Sequence, residues 1–239
     1  NRKQPATLML NNLSVQTNVI EAAHRAGVRK LLYLASSCCY PRDCPQPMKP
    51  EHLMTGPLEP TNEAYATAKI AGIKLCQAHR RQYGAKFAAA IPATPFGPGD
   101  CFDDAHSHVV SALMRRIHEA TVAGHDKVTV WGSGKPLRDF MFSGDLAAAC
   151  VFAMKEYDGD TPLNIGVNEG VTIRELARQT KSVVGFKGQF EFDSSKPDGM
   201  PRKVLDAAAL FALGWRPAFS LRQGLEETYK WFLKSHARK

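Results

Sequence analysis

Two groups of residues in this chain have the types and spacing of proton-transfer chemistry. Ser36 and Ser37 follow directly on a short apolar run, and Tyr65 and Lys69 lie four residues apart in Tyr65-Ala66-Thr67-Ala68-Lys69. On a helix that spacing puts the phenol and the ammonium on one face. A neighbouring ammonium stabilises the phenolate, so it draws a phenol pKa of about 10 toward the working range of a proton donor and acceptor. A hydroxyl at the C-terminal end of a parallel strand can bond the same substrate oxygen, because open α/β sheets place their ligands there. Tyrosine and lysine meet at this spacing by chance in many helices; the serine pair after a strand supplies the chemical context.

Periodicity shows the elements that would position these side chains. Val15, Val19, Ala22 and Ala26, at three- and four-residue steps, predict a helix that stops at Gly27. Lys30-Leu31-Leu32-Tyr33-Leu34-Ala35 reads as a buried strand. A helix from Tyr65 to Tyr83 stopped by Gly84, then a strand from Phe87 to Ile91, repeats the alternation and predicts a parallel sheet with helices on its faces. Beyond Pro92, the turn-rich stretch Pro95, Gly97, Pro98 and Gly99 marks a crossing into a second domain. A helix near Ser107 to Ala120 and a strand from Val128 to Trp131 follow, then a Gly132-Ser133-Gly134 turn. Next come a helix from about Gly144 to Lys155 and a strand from Thr161 to Ile165. Thr172 is placed to cap a helix through Ile173, Leu176 and Ala177, with Glu175 completing a capping box. A strand near Phe190 and helices near Ala207 and from Leu221 complete the chain.

The 239 residues are 44% apolar and 23% charged, the composition of a chain that buries a core. No run of about 18 consecutive apolar residues occurs, and no charged segment followed by an apolar run opens the sequence, so a cytoplasmic location without a membrane span is expected. Lysine and arginine total 31 against 23 acids, a net charge of +8 dispersed along the chain, which suits an anionic ligand. Without a basic helix, zinc-finger spacing or an aromatic-basic RNA signature, nucleic acid is not an expected partner. The 6 cysteines form no CxxC pair and stand at no ligand spacing from paired histidines, so they read as thiols and no metal is expected.

Longer segments add to this. Ser36-Ser37-Cys38-Cys39-Tyr40-Pro41, Leu58-Glu59-Pro60-Thr61-Asn62-Glu63, Ala68-Lys69-Ile70-Ala71-Gly72-Ile73-Lys74-Leu75-Cys76, Ser107-His108-Val109, Val130-Trp131-Gly132-Ser133-Gly134 and Lys196-Pro197-Asp198-Gly199-Met200-Pro201-Arg202-Lys203 occur in order. With them the chain resembles the extended short-chain dehydrogenase/reductases, in their group of GDP-sugar epimerase-reductases, over essentially its whole length. The resemblance implies an α/β fold in which a Rossmann-type parallel sheet is interleaved with a smaller α/β substrate domain. Residues 1–97 and 139–168 are the expected dinucleotide domain, and 98–138 and 169–239 the expected GDP-sugar domain.

The implied reaction epimerises carbons 3 and 5 of GDP-4-keto-6-deoxy-D-mannose and then reduces the keto group with NADPH, giving GDP-L-fucose. By the same resemblance Ser36 and Tyr65 hold the enolate oxygen. Cys38 and His108 are the acid/base pair of the epimerisation, groups whose ordinary pKa values, about 8.5 and 6.5, lie near neutrality. Tyr65 then protonates the carbonyl oxygen as hydride arrives, and Lys69 holds the nicotinamide ribose. The implied NADPH/NADP site comprises Leu34, Ala35, Ser36, Ser37, Tyr65, Lys69, Pro92, Ala93, Thr94, Pro95 and His108. Arg116, Trp131, Arg138, Asp198 and Lys203 fall on GDP-sugar positions, where guanidinium and ammonium groups suit a diphosphate. A homodimer is implied, packed through the helix that carries Tyr65 and the one before it.

Three features depart from the family pattern. No glycine-rich G-x-x-G-x-x-G turn occurs in these residues, although the family's first strand, that turn and the first helix cradle the dinucleotide pyrophosphate. A Rossmann sheet without its first strands is expected to expose an edge and apolar helix faces, to fold poorly and to bind NADPH weakly. Pro92-Ala93-Thr94-Pro95-Phe96-Gly97-Pro98 replaces the usual Asn-Leu-Tyr-Gly-Pro run, and Phe142-Ser143-Gly144-Asp145 the usual His-Val-Asp-Asp, the latter read as a helix start. Two alternatives stay open. A related sugar-nucleotide 4-epimerase or 4,6-dehydratase needs neither Cys38 nor His108, and an inactive sugar-nucleotide-binding or dimerising module would agree with the missing turn.

Overall fold

In the computed structural model, which describes residues 3–103 and 107–236, helix and strand alternate from the start. The order begins α1 (Pro5–Arg25), β1 (Lys30–Leu34), α2 (Glu63–Tyr83), β2 (Lys86–Pro92) and β3 (Thr94–Phe96). It continues with α3 (Val109–Val122), β4 (Lys127–Trp131), β5 (Leu137–Arg138), β6 (Phe140–Phe142) and α4 (Ser143–Glu156). β7 (Leu163–Ile165), β8 (Val171–Thr172), α5 (Ile173–Val184), β9 (Gln189–Asp193), β10 (Arg202–Lys203), α6 (Ala208–Ala212) and α7 (Leu221–His236) complete it.

The chain divides into two compact units, Asn1–Ala93 with Leu146–Asn168 and Val204–Arg216, and Thr94–Asp145 with Glu169–Lys203 and Pro217–Lys239. These bounds differ from those expected. Thr94–Gly97 and Asp139–Asp145 fall in the second unit, because β3 pairs with β6 rather than extending β2. Val204–Arg216 returns to the first, where the Met48 N–H donates to the Val204 carbonyl at 2.8 Å and a bridge joins Met48 to Leu205.

The first unit is a parallel Rossmann-type sheet in the order β1-β2-β7. β2 is the central strand, and its Phe87, Ala88, Ala89, Ala90 and Ile91 are all buried, the continuous apolar run that a sheet covered on both faces requires. Alternation along β1 sends Tyr33 toward α1 and α2, while Leu32 and Leu34 line a pocket of about 410 Å³ with Cys150, Val151 and Met154 of α4. The second edge of β1 carries no strand among the described residues. Gly27 and Gly84, with φ of 66° and 67°, supply the left-handed turns that end α1 and α2.

In the second unit α3, α5 and α7 close over β4. Val110, Leu113, Met114, Ile117, Val128, Val130, Leu176 and Leu225 form its buried core. β4 pairs in parallel with β9, and β3 with β6, while β5 lies between parallel β10 and antiparallel β8. At the start of α5 the Glu175 N–H donates to Thr172 Oγ1 at 3.1 Å. The expected capping box is only half made, because the Glu175 carboxylate accepts two hydrogen bonds from Arg178 at 2.7 Å and one from Gln179 at 2.9 Å. A bidentate guanidinium outcompetes a single backbone N–H for those oxygens.

Candidate active site

β1 delivers Leu34, Ala35 and Ser36 at its C-terminal end. The Ala35 N–H donates to the Ala90 carbonyl at 2.8 Å, carrying the ladder one residue past the strand. Ser36 is extended, with φ −152° and ψ 148°, and caps a single 3-10 turn, Ser37–Cys39. Its Oγ accepts from the Cys38 N–H at 3.3 Å and lies near enough to the Tyr65 hydroxyl to lower its pKa. Lys69 Nζ donates to the Leu34 carbonyl at 3.1 Å and stands 5.9 Å from the centre of the Tyr65 ring. Ser36, Cys38, Tyr65 and Lys69 therefore gather within one unit at the carboxyl end of a parallel strand. The same 3-10 turn separates the two cysteines: Cys38 is half-buried, whereas Cys39 is fully buried with its thiol 3.8 Å from the Ala66 carbonyl.

The electrostatics of the pair differ from the expectation. Burial pushes the Tyr65 phenol above its ordinary range, and the neighbouring Ser36 hydroxyl pulls it only part of the way back. Burial also lowers the Lys69 ammonium. Within the chain alone, desolvation decides the direction of the phenol's shift.

The expected cofactor residues divide between the two units. Leu34, Ala35, Ser36, Ser37, Pro92 and Ala93 lie at or just past the carboxyl ends of β1 and β2. There the Ala93 N–H donates to the Ile165 carbonyl at 2.8 Å. Thr94 and Pro95 pair with Phe140 and Met141 in β3–β6 and belong to the second unit. His108, also in that unit, is the N-cap residue of α3, exposed and making no capping hydrogen bond. A half-buried ammonium, a phenol and a serine hydroxyl at the ends of parallel strands fit the ribose and nicotinamide end of NADP(H), with hydroxyls to bond and a ring to place. The glycine-rich cradle for a pyrophosphate is not among these residues.

On the second unit, Ser107, Val109, Ala112, Leu113, Arg116, Val130, Trp131 and Ile173 line a pocket of about 270 Å³. Trp131 is 66% exposed, a flat apolar wall held in water. The Arg116 guanidinium lies 5.7 Å and Lys196 Nζ 5.9 Å from its ring centre. Burial lowers the pKa of Arg116, with Arg115 adding to the effect. Arg138 Nη1 donates to the Leu137 carbonyl at 2.8 Å and Nη2 to the Asp198 carbonyl at 3.3 Å; Lys203 pairs with Arg138 across β10–β5. Asp198 does something the sequence did not disclose. Its two oxygens accept from the Ser133 N–H at 2.7 Å and the Ser133 hydroxyl at 2.6 Å, so the carboxylate clasps the Gly132-Ser133-Gly134 turn beside Trp131. Gly132, at φ 84°, is required there, since a Cβ would overlap the Asp198 carboxylate.

Two other anchors escaped sequence reasoning. Asp145, read only as part of a helix start, is 3% exposed and accepts from the Ala218 and Phe219 N–H groups at 3.1 and 3.0 Å. Tyr40 donates to Asn164 Oδ1 at 2.6 Å, and Asn164 Nδ2 donates to the Met48 carbonyl at 2.8 Å, holding the loop after the cysteines. Neither partner is near in sequence, so no local pattern could have disclosed them.

A Rossmann-type sheet with a Ser-Tyr-Lys set at its carboxyl ends defines a class of nucleotide-dependent epimerases and reductases. The profile of the NAD dependent epimerase/dehydratase family matches residues 1–166, and the chain belongs to that family. It is 53% identical over 235 residues to GDP-L-fucose synthase 1 of Arabidopsis thaliana, covering 98% of this chain and 73% of that protein. It is 47% identical over 247 residues to GDP-L-fucose synthase of Escherichia coli K12, covering 100% of this chain and 77% of that protein. The crystal structure of a GDP-L-fucose synthetase from Naegleria fowleri bound to NADP superposes with a TM-score of 0.92 at 30% identity, covering 98% of this chain and 75% of that one.

Proposed function

We propose that this chain acts as an NADPH-dependent GDP-sugar epimerase-reductase that converts GDP-4-keto-6-deoxy-D-mannose to GDP-L-fucose, as a cytoplasmic homodimer. The observation that carries this reading is the gathering of Ser36, Cys38, Tyr65 and Lys69 at the carboxyl end of β1. There Ser36 caps the turn that holds Cys38, and Lys69 donates to the Leu34 carbonyl. Identity near one half to proteins named for that reaction supports the choice of sugar.

In this reading Arg138 and Lys203 hold the diphosphate, while Trp131, flanked by Arg116 and Lys196, presents a face for a planar ring. Hydroxyls of Ser36 and Tyr65 bond the keto oxygen, stabilising the enolate that forms when a proton leaves the adjoining carbon. The Cys38 thiol and the His108 imidazole exchange protons at carbons 3 and 5. Bound NADPH supplies the hydride for carbon 4. Tyr65 delivers its proton to the carbonyl oxygen, and Lys69 orients the nicotinamide ribose and neighbours the developing phenolate.

The test is a Tyr65→Phe variant given NADPH and GDP-4-keto-6-deoxy-D-mannose. Oxidation of NADPH is expected to slow by about 10²–10⁴-fold, the usual contribution of a positioned acid, with the fold intact by circular dichroism. An unchanged rate contradicts the assignment.

A further inference from the structure

Beneath the Tyr65–Lys69 pair lies a network to which the proposed chemistry assigns no part. Tyr33, in β1, donates its O–H to Gln16 Oε1 at 2.6 Å. Gln16, on α1 and 6% exposed, donates its own amide to the Ala68 carbonyl at 2.6 Å, one residue before Lys69. Lys69 Nζ stands 5.1 Å from the centre of the Tyr33 ring while it donates to the carbonyl of Leu34, the next residue along the strand. The ring approaches α2 this closely because residue 72, one turn beyond Ala68, is glycine; a Cβ there would overlap the Tyr33 ring.

These contacts tie α1, β1 and α2 around one ammonium. We propose that Tyr33 is a positioning residue whose ring, locked by Gln16 and admitted by Gly72, forms the floor that holds the Lys69 ammonium beside Tyr65. The proposal rests on the roles given above to Tyr65 and Lys69. An ammonium is attracted to the face of an aromatic ring, which favours the charged form. The ring also keeps water from one side of the charge, and that desolvation is the larger effect on Lys69. Burial raises the Tyr33 phenol far above neutrality, so it stays a neutral donor to Gln16. The same burial lowers the Lys69 ammonium, as a shielded charge should behave.

Competitive acylation across a pH series, read by mass spectrometry on the Lys69 peptide, measures the titration midpoint of this lysine without cofactor or substrate. In Tyr33→Leu the midpoint is expected to rise toward the ordinary lysine value of about 10.4 as water reaches the ammonium. The kcat for reduction falls by about ten- to a hundredfold while KM for the GDP-sugar holds, because substrate-binding residues on the second unit are untouched. Tyr33→Phe loses the bond to Gln16 but keeps the ring seated against Gly72, and its midpoint is expected to stay nearer to wild type than that of Tyr33→Leu. Gly72→Ala displaces the ring without altering its chemistry and reproduces the Tyr33→Leu shift, which decides the matter if Tyr33→Leu does not fold. An unmoved Lys69 midpoint in the folded variants overturns the proposal alone when Tyr65→Phe has lost reduction. Reduction that survives Tyr65→Phe overturns the underlying reading and the proposal with it.

Discussion

Cys38 and Cys39 are adjacent in sequence and identical in type, yet they occupy different chemical worlds. Ser36 caps the turn that separates them, leaving Cys38 half-buried and sending Cys39 into the core beside Ala66. A buried thiol acts as a small apolar group, whereas one beside a hydroxyl cluster can exchange protons. Cys38→Ser is therefore expected to suppress solvent-deuterium incorporation at carbons 3 and 5 while NADPH binding persists. Cys39→Ser should lower the melting temperature and leave incorporation in place. Equal incorporation by Cys38→Ser and wild type, read by NMR, would remove Cys38 from the mechanism. Family resemblance singled out the first cysteine; the reason it differs from the second is the backbone of one turn.

The long helices and strands were legible because each carries enough residues to show its period. α2, read from Tyr65, begins at Glu63, and Gly27 and Gly84 stop their helices as their conformational freedom requires. β3, β5, β6, β8 and β10 span two or three residues each, too few to show alternation, and escaped notice. α5 offers a test of its own. Hydrogen bonds from Arg178 hold the Glu175 carboxyl down at about 2 in the folded protein, against about 4.3 unfolded. A depressed folded value means the stabilisation is complete above the unfolded pKa and disappears as pH falls through the folded one. Glu175→Gln is thus expected to melt slightly below wild type at neutral pH, the two curves converging as pH drops toward about 2. A gap that stays constant across that window would show that the carboxylate contributes nothing.

Over the whole molecule, the proposed homodimer has a physical motive in α1. Val15 and Val19, four residues apart, are 64% and 55% exposed, an apolar stripe that water disfavours. Charging it with the double variant Val15→Lys and Val19→Lys should shift sedimentation from dimer to monomer. A wild-type chain that sediments as a monomer at micromolar concentration would refute the dimer outright. β1 leaves one edge without a strand among the described residues, and beside it Leu32, Leu34, Val151 and Met154 line an apolar pocket.

Short-range pattern sufficed for the alternating α/β class, for the Ser36, Tyr65 and Lys69 set, and for the long elements that carry it. Each depends on spacing along a few turns or one strand, where side-chain direction follows from the backbone period. What required the folded chain were interactions between residues far apart in sequence. Gln16 bonds Tyr33 and Ala68, Asp198 clasps Ser133, Asp145 anchors Ala218 and Phe219, and Val204–Arg216 returns to the first unit. The direction of the Tyr65 shift belongs here too, because desolvation depends on every neighbour packed around the phenol and no spacing of two residues can report it.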